Sequence, residues 1–413
     1  MPMRKQTHVT FLISNFLLLF CIFSQDLYAK TLHFIAYGDT RGDIKVIGKP
    51  QVKHNTIAMA IRSMDPDFIL FSGDMVYYNE FEKFLEVITN NYTGDTTIPL
   101  YPAIGNHELM FSEKVDELVK EVLRKMGIAD KPEEESDSLP SGPSDDSTLE
   151  KVWKKLLEEI NSLVESRIKT RSREVLCEEI RDKLPPSSSS YLKEVLKGTA
   201  EDQSWYSFIR KANGLEIKFL ILNSSLPDDE EQFQWFLNEL QQFSGPKIIL
   251  EHYPPYSLGI HGCADLMDKE SRASRFRDRY VRFFNDSANN VLLIINGHEH
   301  NYQRICRTHT TGNVQLPVYI ISGGGGAPLA GMGECNTSQI PFDGFQCVEF
   351  ITAYHFVDII VRTNNNNKVI LQGKVFGLRY DLAKGLPDDS AFERQFVKER
   401  LELIDDFTLH WQK

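Results

Sequence analysis

Apolar runs of about four residues, each closed by a turn residue and then by a polar one, recur along this chain. Phe34-Ile35-Ala36-Tyr37 leads into Gly38-Asp39, and Phe68-Ile69-Leu70-Phe71 into Gly73-Asp74. Tyr101-Pro102-Ala103-Ile104 leads into Gly105-Asn106-His107-Glu108. Ile248-Ile249-Leu250 leads into Glu251-His252, and Leu292-Leu293-Ile294-Ile295 into Gly297-His298-Glu299-His300. Runs of this length bounded by turn residues predict strands. Their lack of alternation predicts burial on both faces, as in the sheets of α/β proteins. A helical stretch over His54–Met64 fits as a crossover, so the first part of the chain reads as βαβ units.

The pattern then changes. From residue 112 to about 198 the chain is charged and helical in period. Val115, Leu118, Val119, Val122, Leu123 and Met126 share one face. Leu149, Val152, Trp153, Leu156, Leu157, Ile160, Leu163 and Val164 share another, with Ser147 and Glu150 spaced as a capping box. Residues 131–146 between them are Pro, Ser, Glu and Asp with almost nothing apolar, the composition of a disordered linker. Strand-like runs return at Trp205–Phe208, Phe219–Leu222, Ile248, Val291 and Val318, with a helix carrying Phe233, Trp235, Phe236 and Leu240 between them. Residues 112–198 are therefore expected to be a helical insertion in one α/β domain spanning 30–413. The insertion leaves from the Asn106-His107 loop, so it reads either as a cap over a site or as a solvated appendage. The tail from about Asp388 to His410 is expected to be helical.

In layered α/β folds ligands gather at the carboxyl ends of strands. Here those ends deliver Asp39, Asp74, Asn106, His252, His298 and His300. These are oxygen and nitrogen donors without a thiolate, which suits iron, zinc or manganese and disfavours a structural zinc site. Six donors exceed what one tetrahedral ion needs, and a carboxylate can bridge two ions that clamp a phosphoryl group and acidify a bound water. Each motif alone is weak: Gly-Asp is commonly a turn, and a lone His a core residue. Their joint occurrence, each after a strand, carries the reading.

Composition limits the rest. The chain has 413 residues, a formal net charge of −12 and 41% hydrophobic residues, enough apolar content for a sizeable core. An acidic balance disfavours nucleic acid as a partner. It does not disfavour a phosphate substrate, because bound divalent ions dominate local charge. Arg4 and Lys5, an apolar stretch from Val9 to Phe23 and a cleavage site after Ala29 make residues 1–29 a candidate signal peptide; a membrane anchor is the competing reading, and the run is short for that. Export to a periplasmic or secreted location is therefore expected, with no stable membrane insertion after cleavage. Cleavage would leave Cys177, Cys263, Cys306, Cys335 and Cys347, of which Cys335 and Cys347 are the first pair to test for a disulfide. Ser322 to Gly326 lacks the Lys-Ser/Thr ending of a nucleotide-binding loop and reads as a tight turn near the site; His309 and His355 read as structural.

Gly38-Asp39-Thr40, Gly73-Asp74-Met75-Val76-Tyr77, Gly105-Asn106-His107-Glu108, Leu250-Glu251-His252 and Gly297-His298-Glu299-His300 together resemble the five blocks of calcineurin-like metallophosphoesterases. The Tyr three residues after Asp74, and the run Gly297 to Arg304, are similar to the purple acid phosphatase type. The resemblance spans residues 31–108 and about 203–382 and omits the insertion. It implies a four-layer α/β/β/α sandwich, and an exported phosphatase that hydrolyses small phosphomonoesters with a water activated by two metal ions. Asp39, Asp74, Tyr77 and His300 would hold Fe(III). Asp74, Asn106, His252 and His298 would hold Fe(II), Zn or Mn, with Asp74 bridging. His107 and His261 would be the catalytic histidines that hold phosphate or protonate the leaving group. Position 41 departs from the pattern. Arg41 stands where the superfamily has a ligating His and the purple acid phosphatases a Gly; it reads either as a substrate-phosphate contact or as an ion pair with Asp43. Two alternatives stay open: a phosphodiesterase or nucleotide hydrolase on the same site, and a non-catalytic protein that binds a partner through its insertion.

Overall fold

The computed structural model describes residues 31–42, 51–76, 81–93, 97–110, 204–308, 314–334, 342–363, 368–381, 383, 385, 389–398 and 401–412. The expected signal peptide 1–29, the expected insertion 112–198 and linker 131–146, Asp43 and Tyr77 lie outside the described residues.

Two sheets form the centre. One contains β1 (Leu32–Tyr37), β2 (Phe68–Phe71), β3 (Leu100–Pro102), β11 (Ala353–Thr363), β12 (Lys368–Arg379) and β13 (Glu402–Gln412), in the order β13-β12-β11-β1-β2-β3. The other contains β4 (Tyr206–Ala212), β5 (Leu215–Ile221), β6 (Lys247–Leu250), β7 (Val291–Asn296), β8 (Tyr302–Thr308), β9 (Val314–Ser322) and β10 (Gln346–Ile351), in the order β10-β8-β9-β7-β6-β5-β4. In each sheet the parallel strands, β1-β2-β3 and β5-β6-β7-β9, lie inside or beside antiparallel flanks. While β7 reaches β9 through β8, the parallel pairs β1–β2, β2–β3, β5–β6 and β6–β7 are joined by helices. These are α1 (Val52–Met64) and α2 (Phe81–Tyr92) on the first sheet. On the second they are α3 (Glu230–Gln242), α4 (Ile260–Met267) and α5 (Arg272–Phe284). A last helix, α6 (Asp389–Lys398), precedes β13.

The continuous apolar runs have a simple cause: every central strand is covered on both faces. In β1, Phe34 and Ala36 face the core between the sheets, while Ile35 and Tyr37 face α1 and α2. In β9, Val318 and Ile320 face the same inter-sheet core, and Tyr319 and Ile321 face α3 and α5. Period-2 alternation is present, but both phases are apolar. The result is four layers, helices–sheet–sheet–helices. Burying each large apolar side chain contributes about 1.5–3 kcal/mol, which favours this double coverage. Local signals agree: Asp229 caps α3 by accepting from Gln232 N (2.8 Å), and Ser271 caps α5 by accepting from Ser274 N (3.1 Å).

Two expectations are corrected. The tail is helical only over Asp389–Lys398; Glu402–Gln412 is the edge strand β13. Phe407, Leu409 and Trp411 alternate with Thr408, His410 and Gln412 and enter the inter-sheet core, a period-2 pattern that outweighs helix propensity. The Cys335–Cys347 pairing also fails. Cys347 is a free thiol on β10, and Cys263 on α4 is the disulfide-bonded residue among those described. Nearness in sequence says little about where two Cβ atoms point. Among the described residues no helix is long and apolar enough to cross a membrane.

Candidate metal centre

The strand ends meet along one edge where the two sheets face each other. Asp39 follows β1, Asp74 follows β2 and Asn106 follows β3; His252 follows β6, and His298 and His300 follow β7. Three of these residues are held in left-handed backbone, Asp39 (φ 55°), Asp74 (φ 55°) and His298 (φ 70°). That conformation costs about 1–2 kcal/mol per non-glycine residue. It persists because the surroundings over-determine it. Asp39 N donates to Gly73 O (2.9 Å), Thr40 N to Asp74 O (3.0 Å), and His298 N to both Asp39 carboxylate oxygens (3.0 Å). Strain concentrated on would-be ligands is typical of functional sites. Gly105 is required here, because a Cβ on it would fall on the Asp74 carboxylate. The Ser322–Gly326 turn closes the floor: Gly325 N donates to Gly38 O (2.9 Å) and Ala327 N to Asp39 O (2.9 Å).

Asp39, Asp74 and His252 are buried, and one ligand atom from each lies within 4.8 Å of the others. His300 Nε2 is 3.8 Å from Asp39 Oδ1, and His252 Nε2 is 3.4 Å from Asp74 Oδ1. Burial and the neighbouring Asp74 charge push the Asp39 carboxyl up. Burial pushes Asp74 the same way, but His252, His107 and Arg41 together outweigh it and lower Asp74 overall. Two buried carboxylates this close repel unless a cation sits among them.

The histidine tautomers identify the atoms left free. His252 Nδ1 donates to Ser72 O (2.8 Å), a carbonyl that can only accept, and burial lowers this imidazole to about 4. The ring is therefore neutral at pH 7, and its Nε2 carries a lone pair. That lone pair faces the Asn106 side-chain amide at 2.9 Å. His298 Nε2 meets the Asp265 carboxylate at 2.8 Å, and its Nδ1 lies 3.1 Å from the same Asn106 oxygen. Burial works against a charged His298, but the Asp265 hydrogen bond and charge prevail and raise it. A proton on His298 Nδ1 and a cation thus compete for one position. A metal ion here would take lone pairs from His252 Nε2, Asn106 Oδ1, His298 Nδ1 and Asp74 together. His300 follows the same rule: its Nδ1 donates to Pro328 O (2.7 Å), which leaves Nε2 as the donor atom.

The remaining predicted residues surround this set. Arg41 is a largely buried cation; its Nη2 is 3.2 Å from His300 Nε2 and its Nε 3.5 Å from Asp74 Oδ2. Its expected alternative partner, Asp43, is outside the described residues, as is Tyr77. His107 is buried; its backbone N donates to Asp74 Oδ1 (3.0 Å) and its Nε2 is 3.8 Å from Asp74 Oδ2. His261 lies in the first turn of α4, its ring centroid 5.3 Å from that of His300 and 5.7 Å from that of His298. Burial, then the positive side of His298 and Arg41, lowers His261 to about 4. His355 is buried beneath the Ser322–Gly326 turn, its backbone N donating to Gly324 O (3.1 Å) and its Nδ1 to Ala353 O (2.9 Å).

Sequence reasoning missed the residues that hold the ligands. Glu108 accepts from Asp74 N (3.0 Å), Met75 N (2.7 Å) and Gly105 N (2.7 Å), tying the β2 and β3 loops together. Ser224, after β5, accepts from His252 N (3.2 Å) and Tyr253 N (2.9 Å). Asp265 orients His298. The signal for Asp265 was its spacing: four residues after His261, it shares that residue's helical face.

The family model for calcineurin-like phosphoesterases matches residues 33–302. With most of the chain matched, and both the fold and the donor set in keeping, this protein belongs to that family, a class of metal-dependent phosphoric ester hydrolases. Among solved structures, purple acid phosphatase PPD1 from seeds of yellow lupin (Lupinus luteus) is similar, with a TM-score of 0.52 and 16% identity over 92% of this chain and 54% of that one. The chain thus spans about half the length of that phosphatase, and the likeness is one of fold. The structure of PhoD matches with a TM-score of 0.42 and 12% identity over 86% of this chain and 70% of that one, too loosely to add to this. Comparison with curated proteins finds no match.

Proposed function

We propose that the chain is an exported, dinuclear metal-dependent phosphatase of the purple acid phosphatase type that hydrolyses phosphomonoesters. The observation that carries the metal reading is the buried cluster of Asp39, Asp74 and His252, one ligand atom of each within 4.8 Å of the others. Asp74, Asn106, His252 and His298 would hold one ion, and Asp39, Asp74, Tyr77 and His300 the other. When bound, such ions supply Lewis acidity toward a phosphoryl oxygen and an acidified water.

The chain's own groups would bind and orient the ester. The Arg41 guanidinium stays charged and presents a planar fork toward phosphate oxygens. It stands beside Asp74 and His300, where an anion held against the ions would meet it. His107, held by its backbone bond to Asp74, lies on the same side. The His261 ring is neutral down to about pH 4, so in the free protein it is a hydrogen-bond acceptor or a single donor. A phosphate dianion seated against it would favour the charged ring, which can then deliver a proton to the leaving oxygen.

The test is metal analysis of the purified protein together with hydrolysis of an aryl phosphate and a bis-aryl phosphodiester. The expected result is two ions per chain and faster turnover of the monoester. Faster turnover of the diester selects the phosphodiesterase alternative. Absence of both metal and hydrolysis rejects the enzyme reading and leaves partner binding through residues 112–198. Export is tested by N-terminal sequencing of the protein recovered outside the cytoplasm, with Lys30 expected first.

A further inference from the structure

We propose that the short helix α4 is a brace for the second metal position, and that it acts through Asp265, whose carboxylate holds the His298 imidazole in the tautomer that turns Nδ1 toward Asn106. This rests on the metal-centre reading above and assigns a positioning residue to it.

Asp265 Oδ2 lies 2.8 Å from His298 Nε2. An ionised carboxylate only accepts, so the ring proton is drawn to Nε2 and the lone pair stays on Nδ1. Nδ1 is the atom 3.1 Å from Asn106 Oδ1. Without Asp265, a neutral ring is free to place its proton on Nδ1. There it would donate to Asn106 Oδ1 and block the coordinating position. A carboxylate behind a ligating histidine fixes ring orientation and raises ligand basicity.

The brace has a second strut, directed the opposite way. Glu299, between His298 and His300, is buried and accepts from the backbone N of Gly262 in the first turn of α4 and from Ser257 Oγ (3.1 Å). The histidine loop reaches into the helix through Glu299, and the helix reaches back through Asp265. Three further ties fix the approach to α4: Ser257 Oγ accepts from Gly259 N (2.9 Å), Gly333 N donates to Leu258 O (2.8 Å), and Cys263 is disulfide-bonded. Glycine at 259 leaves room for the Glu299 carboxylate, which a Cβ there would strike. Of the proposed ligands, His298 is the one Asp265 bonds, so its effect falls on one metal position and not on both.

Calorimetric titration of the metal-stripped full chain with Zn(II) tests this, alongside ¹⁵N NMR of the histidine rings. In Asp265→Asn and Asp265→Ala, one of the two binding steps should weaken about 10–100-fold while the other stays within about twofold. At alkaline pH, where the ring has lost its second proton, the His298 ring signals should move from the Nε2–H form toward a mixture of tautomers, and Asp265→Glu should restore part of both effects. Unchanged binding in both variants, equal weakening of both steps, or an unaltered His298 tautomer overturns the proposal. If Asp265→Ala fails to fold, the Asn and Glu variants decide. If the parent chain takes up no Zn(II), the metal reading fails, and the tautomer of metal-free His298 still decides whether Asp265 holds the ring.

Discussion

The two halves of the proposed ligand set are built differently. Around Asn106, two imidazoles are aimed from behind: His252 by Ser72 O, His298 by Asp265. Both rings turn a nitrogen toward the Asn106 side chain, with no cationic side chain between them among the described residues. Around Asp39 and His300, a cation is already present, because Arg41 reaches both His300 Nε2 and Asp74 Oδ2. The first half would offer its lone pairs to an added ion. The second balances some of its negative charge internally and opens toward an anion. Asp74 belongs to both, with Oδ1 on the His252 side and Oδ2 on the Arg41 side.

Breaking the shared residue should therefore have the largest effect. Asp74→Asn should release most of both ions and lower aryl phosphate turnover by about 10³-fold or more, since several kcal/mol of charge stabilisation leave with the ions. Full occupancy with unchanged turnover would end the bridging assignment. Next comes the internal cation. Arg41→Ala should leave metal content near two and lower kcat/KM by about 10–100-fold, the worth of a charge-assisted phosphate contact. Loss of metal in that variant, measured by elemental analysis, would instead make Arg41 a structural counter-charge.

Tyr77 sharpens the contrast from the Asp39 side. Iron-loaded, oxidised protein should show a visible tyrosinate-to-iron band that Tyr77→Phe loses and Tyr78→Phe keeps, because neighbours in an extended segment point to opposite faces. A band surviving Tyr77→Phe assigns the colour elsewhere. The insertion should matter less for chemistry than for choice of ester. Replacing residues 114–197 by a short Gly/Ser bridge should preserve both ions and aryl phosphate turnover while reordering a panel of larger phosphate esters. An unchanged ranking favours the appendage reading. In the parent chain, residues 131–146 should be the first cut in limited proteolysis.

The smallest effect lies away from the site. His33 Nε2 is 2.5 Å from Asp358 Oδ1 across the β1–β11 pair, and that hydrogen bond raises the imidazole despite burial. A raised folded-state value stabilises fully below the unfolded value of about 6.5 and is lost as pH rises through the folded one. The melting-temperature advantage of the parent over Asp358→Asn should thus shrink by about 2 °C between pH 6 and pH 9. An advantage that grows with pH would reverse the assignment.

How much of this was legible depends on the distance over which each signal acts. The Phe68–Phe71 strand and the Val52–Met64 helix were readable because burial on one or both faces writes a local period into the chain. The Asp, Asn and His donors were readable because glycine or a strand end must precede them to bring the backbone close. The β13 edge strand was misread because 389–412 holds two short elements with different periods. Cys263 was passed over because a disulfide depends on where two Cβ atoms end up, not on their spacing.

The sequence by itself determined the strands, the polar residues at their ends and the chemical type of those residues, and the resemblance to a phosphoesterase family. Those follow from local patterns and from residue chemistry that does not change on folding. Only the tertiary structure decided which nitrogen of each histidine is free, because that is set by Ser72 O, Asp265 and Pro328 O on distant segments. It alone placed Arg41 between Asp74 and His300, and α4 behind His298. A hydrogen bond between residues 33 or 180 positions apart leaves no period in a sequence; it exists only once two sheets have packed and brought their strand ends to one edge.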